Sequence, residues 1–209
     1  MNRNIALIST IVFFGAFWGV LEATLGYLLH LIPVPFLAGS IMFPLATLIL
    51  IYAFKHTNSK KALLAVGVIA ASIKALNFFM PMNHWGIINP MISIVLETLM
   101  VVAVANFLIS RNLKHQILGF VGASVAWRGA YLVWFGVQFA ATGFLAEQVS
   151  SFGNALTFTV LQGVFSGALA FALLRGFTFF ETRSALSLRI RPIGATFMLA
   201  LAAVLTVLL

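Results

Sequence analysis

Asn89, Ser93 and Glu97 stand four residues apart within an apolar stretch. On a helix the spacing i, i+4, i+8 sets them in one stripe on one face. An ionised carboxylate inside a run of membrane length costs at least ~2.5–3.5 kcal/mol on insertion scales unless a partner meets it. The stripe is therefore expected to face the interior of a helix bundle. Glu22, Lys74 and Arg128 are the other charges deep inside apolar runs. Two acids and two bases that converge could form a structural ion-pair network fixing helix register. They could equally line a ligand cavity or proton path opening outward, with Lys74 and Arg128 facing an anionic or electron-rich solute. Because intramembrane charges are functional by default, the second reading is the expectation.

The elements that must position these groups follow from composition. The chain has 209 residues, of which 62% are hydrophobic and 8% charged. That balance predicts a single all-α domain, residues 1–209, built as a polytopic membrane helix bundle. Apolar runs at 5–32, 36–54, 62–80, 87–109, 116–142 and 154–174 make six expected transmembrane helices. A basic cytoplasmic segment at 176–192 is expected to follow the core of residues 5–175. The last run, 193–209, could span, tilt or lie shallow, and a seventh span is favoured. The first run is too long for a signal-peptide core and reads as a retained span.

The formal charge of +8 lies almost entirely between spans, where orientation signals sit, so no nucleic-acid partner is expected. Arg3, Lys55, Lys60, Lys61, Arg111, Lys114, Arg175, Arg183, Arg189 and Arg191 all fall on one side of the threading. The opposite loops (33–35, 81–86 and 143–153) hold no Lys or Arg and only Glu147. This asymmetry predicts a cytoplasmic N terminus in a bacterial or archaeal inner membrane. At ~1.5 Å rise per residue, Glu22, Lys74, Glu97 and Arg128 then share a level roughly 15–21 Å from the inner end of their helices.

Other groups add detail. Gly15, Gly19, Glu22 and Gly26 share a narrow sector of the first span, and Ser124, Arg128, Tyr131 and Phe135 share a face of the fifth. In the outward loop 81–86, stacking from Trp85 with hydrogen bonds from Asn83, His84 and Asn89 would suit a flat heterocycle. The other reading of that loop is an interfacial aromatic anchor, and Trp127, Tyr131 and Trp134 divide the same way. Segment 177–191 reads as an interfacial stretch touching anionic lipid or as a basic tether. Metal chemistry is not expected: the four histidines are dispersed and no HExxH or ExxH occurs. With no Cys, no Asp and no GxxxxGK[ST], thiol chemistry, aspartyl proteolysis and ATP hydrolysis in this chain are also not expected.

The runs Phe14-Gly15-Ala16-Phe17-Trp18-Gly19-Val20-Leu21-Glu22, Ala71-Ser72-Ile73-Lys74, and Ile88-Asn89-Pro90 leading to Ile94-Val95-Leu96-Glu97 resemble substrate-binding S components of energy-coupling factor (ECF) type ABC transporters. The resemblance covers roughly residues 5–175. It implies a six-helix bundle that binds a vitamin or related solute near the outer side. It also implies a membrane T subunit and two cytosolic ATPases as partners, with ATP used by those partners and no cofactor in this chain. The family often carries an AxxxA row on its first helix for T-subunit contact. Here Gly15, Gly19 and Ala23 would take that role, and a seventh span departs from the pattern.

The expected site is an outward cavity bounded by spans one, three, four and five. It uses Glu22 and Glu97, and Lys74 or Arg128 against an anionic or acceptor group. Asn77, Asn83, His84, Asn89 and Gln138 would supply hydrogen bonds, and Trp85, Tyr131 and Trp134 stacking surface. Such a site binds rather than makes bonds. The rivals are an ion-coupled secondary carrier titrating Glu22 and Glu97, and, ranked last, a membrane enzyme acting on lipid or isoprenoid with Glu97 as acid/base.

Overall fold

In the computed structural model the described residues are 2–34, 36–183 and 190–209. Among them, six helices are long and apolar enough to cross a bilayer. These are α1 (Arg3–His30), α2 (Leu37–Thr57), α3 (Lys60–Phe79), α4 (His84–Leu108), α5 (Leu113–Thr142) and α6 (Phe152–Phe180). A shorter apolar helix, α7 (Pro192–Leu208), follows. The described residues contain no strand. The protein is an all-α, multi-pass membrane helix bundle, as every backbone polar group in hydrocarbon requires.

Polar residues between the apolar runs mark where helices begin and end. Ser59, Asn83, Asn112 and Ser151 each accept a hydrogen bond from a backbone N–H of the first turn they precede, capping α3, α4, α5 and α6. Asn58 closes α2 and Gly143 closes α5 in the left-handed conformation, at φ 49° and 70°. Residues 176–183, at the start of the expected basic cytoplasmic segment, are helical: α6 continues to Arg183. No proline interrupts Gly176-Phe177-Thr178-Phe179-Phe180, so nothing local stops the helix there. Residues 184–189 of that expected segment lie outside the described residues.

α2 occupies the middle. It carries no charge until Lys55 and touches α1, α3, α4 and α6, and 67% of its apolar window is buried, the largest share of the six. The others form a ring around it, α1 against α3, α3 against α4, α4 against α5, and α5 against α6. α7 packs along α1 from outside that ring, with Ala202 in a small core with Ala16 and Ile73. That core is at mid-helix in both α1 and α7, so the 17-residue α7 stands beside the spans rather than shallow upon them.

Glycines set the close approaches. A Cβ at Gly15 would lie 2.7 Å from Ile69 Cβ, and one at Gly19 would lie 2.8 Å from Ile73 Cδ1. The face expected to dock a T subunit is therefore filled by α3 of the same chain, and Ala23 is buried as well. This corrects the assignment of Gly15, Gly19 and Ala23 to partner contact. In the same way Gly67 receives the Thr98 side chain, and Gly163 and Gly167 let α6 sit against the α5 backbone.

At Gly167 an added Cβ would come within 2.6 Å of the Val121 Cα and 2.8 Å of the Phe120 carbonyl, both backbone atoms that cannot yield cheaply. Gly167→Ala should destabilise the bundle by about 1–3 kcal/mol, read as a lower thermal midpoint in detergent. Gly122→Ala, which meets nothing within 4 Å, should not lower it.

Candidate functional site

At the end of the bundle away from the N terminus lies a cavity of about 470 Å³. Its floor and sides come from α1, α2, α4, α5 and α6, and its rim from Ile32, Val34, Phe36, Phe144, Ala146, Glu147 and Gln148. An adjoining recess of about 450 Å³ shares His30, Asn89, Pro90, Gln138 and Phe144 with it and adds Asn83, Trp85 and Gly86.

Two carboxylates face the main cavity. Glu22 sits where α1 widens to a π turn over Glu22–Gly26. Such turns re-aim side chains and often mark functional positions. Its Oε1 accepts the Trp18 indole N–H at 3.2 Å. Gly26 leaves room for its Oε2, which a Cβ there would approach to 3.2 Å. Glu97 is 3% exposed, and its Oε1 accepts the Ser93 hydroxyl at 2.9 Å while Oε2 has no hydrogen-bond partner. The i, i+4 pairing of Ser93 with Glu97 is the polar stripe of the sequence in place. His30, one turn beyond Gly26, also lines the wall. Its Nδ1 lies 2.7 Å from the Gly26 carbonyl. A carbonyl only accepts, so Nδ1 carries the hydrogen and Nε2 is left for other partners.

α5 supplies an aromatic wall. Trp127, Tyr131, Phe135 and Gln138 follow one face at helical spacing, and all four are buried. Phe158, on the π turn Thr157–Leu161 of α6, meets Trp127, Tyr131 and Phe135 at ring-centroid distances of 6.0, 6.3 and 6.4 Å. Phe36 adds a further ring 5.7 Å from Phe158. It does so with φ 62°, a strained backbone for an aromatic residue. The Gln138 Oε1 and Trp127 Nε1 atoms are buried without partners.

The two cations do not line the cavity. Arg128 is wholly buried behind the wall: one terminal nitrogen donates to the Ser124 carbonyl at 3.1 Å and hydroxyl at 2.7 Å, the other to the Gly39 carbonyl at 3.1 Å. Its guanidinium carbon lies 4.6 Å from the Trp127 ring centroid and 5.8 Å from that of Phe158. Aromatic faces and carbonyls thus take the place of water around the charge. Lys74 is half-buried on α3 and in electrostatic range of Glu22, as Arg128 is of Glu97. The structure therefore turns the carboxylates, and not the two cations, to the cavity. The expectation that Lys74 or Arg128 pairs with the solute is corrected accordingly.

Other expected ligands are placed elsewhere. Trp134 donates its indole N–H to Asn89 Oδ1 at 2.9 Å, and Tyr131 its hydroxyl to the Asn89 carbonyl at 3.0 Å. Asn89 thereby ties α4 to α5 while still lining the cavity, whereas Trp134 braces it from outside. Asn83 uses its side chain to cap α4 and reaches only the recess, beside Trp85. Asn77 is buried against Met82 Sδ at 3.5 Å, and His84 is exposed against Phe78; neither lines either space. Of the expected residues, Glu22, Asn89, Glu97, Tyr131 and Gln138 share the main cavity. His30 was missed, although the spacing of Glu22, Gly26 and His30 at i, i+4, i+8 carried the signal. Among the described residues no group of three His, Cys, Asp or Glu side chains could hold a metal ion.

Arg128→Lys keeps the charge but gives up the fork that reaches Gly39 and Ser124 together. It should cost about 1.5–3 kcal/mol of stability, measured by thermal unfolding in detergent. Trp134→Phe removes one neutral hydrogen bond to Asn89 and should cost less, about 0.5–1.5 kcal/mol. Comparison of the chain with protein-family models, with curated proteins and with solved structures finds no match.

Proposed function

We propose that this chain is a solute-binding subunit of a membrane uptake system, holding a small organic molecule in the cavity rimmed by Ile32, Val34, Phe36 and Phe144. The observation that carries this reading is the cavity itself. At about 470 Å³ it is the size of small-molecule sites, and its aromatic walls are interrupted by a few polar atoms that have no partner within the chain. Bare buried acceptors and donors cost free energy, and a bound solute would satisfy them. Outside the spans, the Lys and Arg side chains among the described residues lie at the opposite end, which makes the cavity end exoplasmic under the positive-inside rule. A site so placed collects solute from outside the cell. The resemblance to S components of ECF transporters supports the same role, with ATP hydrolysis left to partner subunits. Gly15, Gly19 and Ala23 being covered, any T-subunit contact would use another face.

One feature of the site favours a second reading. Glu22 and Glu97 face a common cavity, as titrating groups of a proton-coupled carrier would. The two readings separate by what the isolated chain does. Purified in mild detergent and then denatured, the protein should release a small organic solute in near-stoichiometric amount by mass spectrometry. Reconstituted alone in vesicles, it should bind without moving solute across the membrane. Solute uptake by the chain alone, driven by a proton gradient and abolished by an ionophore, would establish the carrier instead.

A further inference from the structure

We propose that the solute is an organic cation, an alkylammonium or a cationic nitrogen heterocycle, with its charge toward Glu22 and Glu97 and its apolar body against Trp127, Tyr131 and Phe158. This inference rests on the solute-binding reading above and specifies its ligand.

The first ground is which charges reach the cavity surface. Among the described residues, every Asp, Glu, Lys or Arg on the wall is a glutamate: Glu22 and Glu97 within, Glu147 at the rim. Arg128, the nearest balancing charge to Glu97, spends its terminal N–H groups on Gly39 and Ser124. A solute therefore meets acceptors, with the cations behind the wall. An anion there would meet glutamate oxygens, with Trp127 Nε1 the one partnerless buried donor on the wall among the described residues.

The second ground is the state of those acceptors. Glu97 and Gln138 are each 3% exposed, and each presents a buried oxygen, Oε2 and Oε1, with no hydrogen-bond partner. Both residues line the cavity. Oxygens so shielded call for donors or positive charge from whatever fills the space. Trp127 Nε1 is the one partnerless buried donor on this wall among the described residues, which suits a solute with a single neutral acceptor besides its charge.

The third ground is the rings. Aromatic faces carry negative potential and attract cations, and organic ammonium groups combine that attraction with apolar contact. The packed Trp127, Tyr131, Phe135 and Phe158 rings offer both. Among the described residues no group of three His, Cys, Asp or Glu side chains is positioned for a metal ion.

The test uses three probes with one ring and different charge: 1-methylnicotinamide (a pyridinium cation), nicotinamide (neutral) and nicotinate (anion). The full chain in nanodiscs is titrated with each by calorimetry, and the solute released on denaturation is identified by mass spectrometry. The cation should bind about tenfold or more tighter than nicotinamide, with nicotinate weakest. In Glu97→Gln the ratio of cation to neutral affinity should fall by about the same factor, with Glu22→Gln as a second variant should the first fail to fold. Nicotinate binding as tightly as the cation, or a ratio unchanged in the variants, overturns the cation assignment and leaves the solute-binding reading standing. If no probe binds, the released solute decides: a cation supports the assignment, and a neutral molecule or an anion overturns it. Absence of both probe binding and released solute defeats the solute-binding reading itself and this inference with it.

Discussion

A guanidinium that never meets water is the constraint around which the cavity end of this bundle is arranged. Arg128 cannot shed its charge as Lys or Glu can, so burial obliges the fold to solvate it with protein atoms. The Gly39 carbonyl comes from the central helix, Ser124 from the turn below, and the Trp127 and Phe158 faces cover the rest. Those contacts fix α5 against α2 and bring Phe158 of α6 into the same cluster. Rings recruited to hold the cation are the rings that wall the cavity. The charge at the heart of the site thus acts mainly through the shape it imposes.

With Arg128 committed behind the wall and Lys74 half-buried on α3, the carboxylates are left on the inside surface. This arrangement is asymmetric in the direction that matters for recognition. Each acid keeps a base within electrostatic range, which lowers the cost of burying it, and each lines the cavity. Glu97 has Oε1 engaged by Ser93 and Oε2 bare. A pure register-fixing ion-pair network would have spent both.

The cavity also depends on close packing elsewhere. Lipid offers helices no hydrophobic drive to associate, so contact must come from complementary surfaces. Glycines opposite Ile69, Ile73, Thr98, Val121 and Val125 let the ring of helices draw tight, and α7 seals the outer flank of α1. Two π turns, at Glu22–Gly26 and Thr157–Leu161, relax that regularity where the cavity opens. An extra residue per turn there lets Glu22 and Phe158 face inward without breaking the helices that carry them.

Much of the fold was legible in the sequence because its signals are local. Apolar run length sets the number of helices, and the i, i+4, i+8 stripe of Asn89, Ser93 and Glu97 finds the inward face of α4. The same periodicity held the clue to His30. Helical spacing could not tell which neighbour fills a glycine face, so Gly15 and Gly19 looked free for a partner until α3 was seen against them. Nor could it tell which way a long side chain turns once buried. Lys74 and Arg128 share the depth of the acids by count of residues, but whether a charge meets the cavity or the carbonyls behind it depends on distances between helices far apart in sequence. By itself the sequence determined a multi-pass helix bundle. Only tertiary packing decided that carboxylates and rings line the cavity while the cations stay outside it.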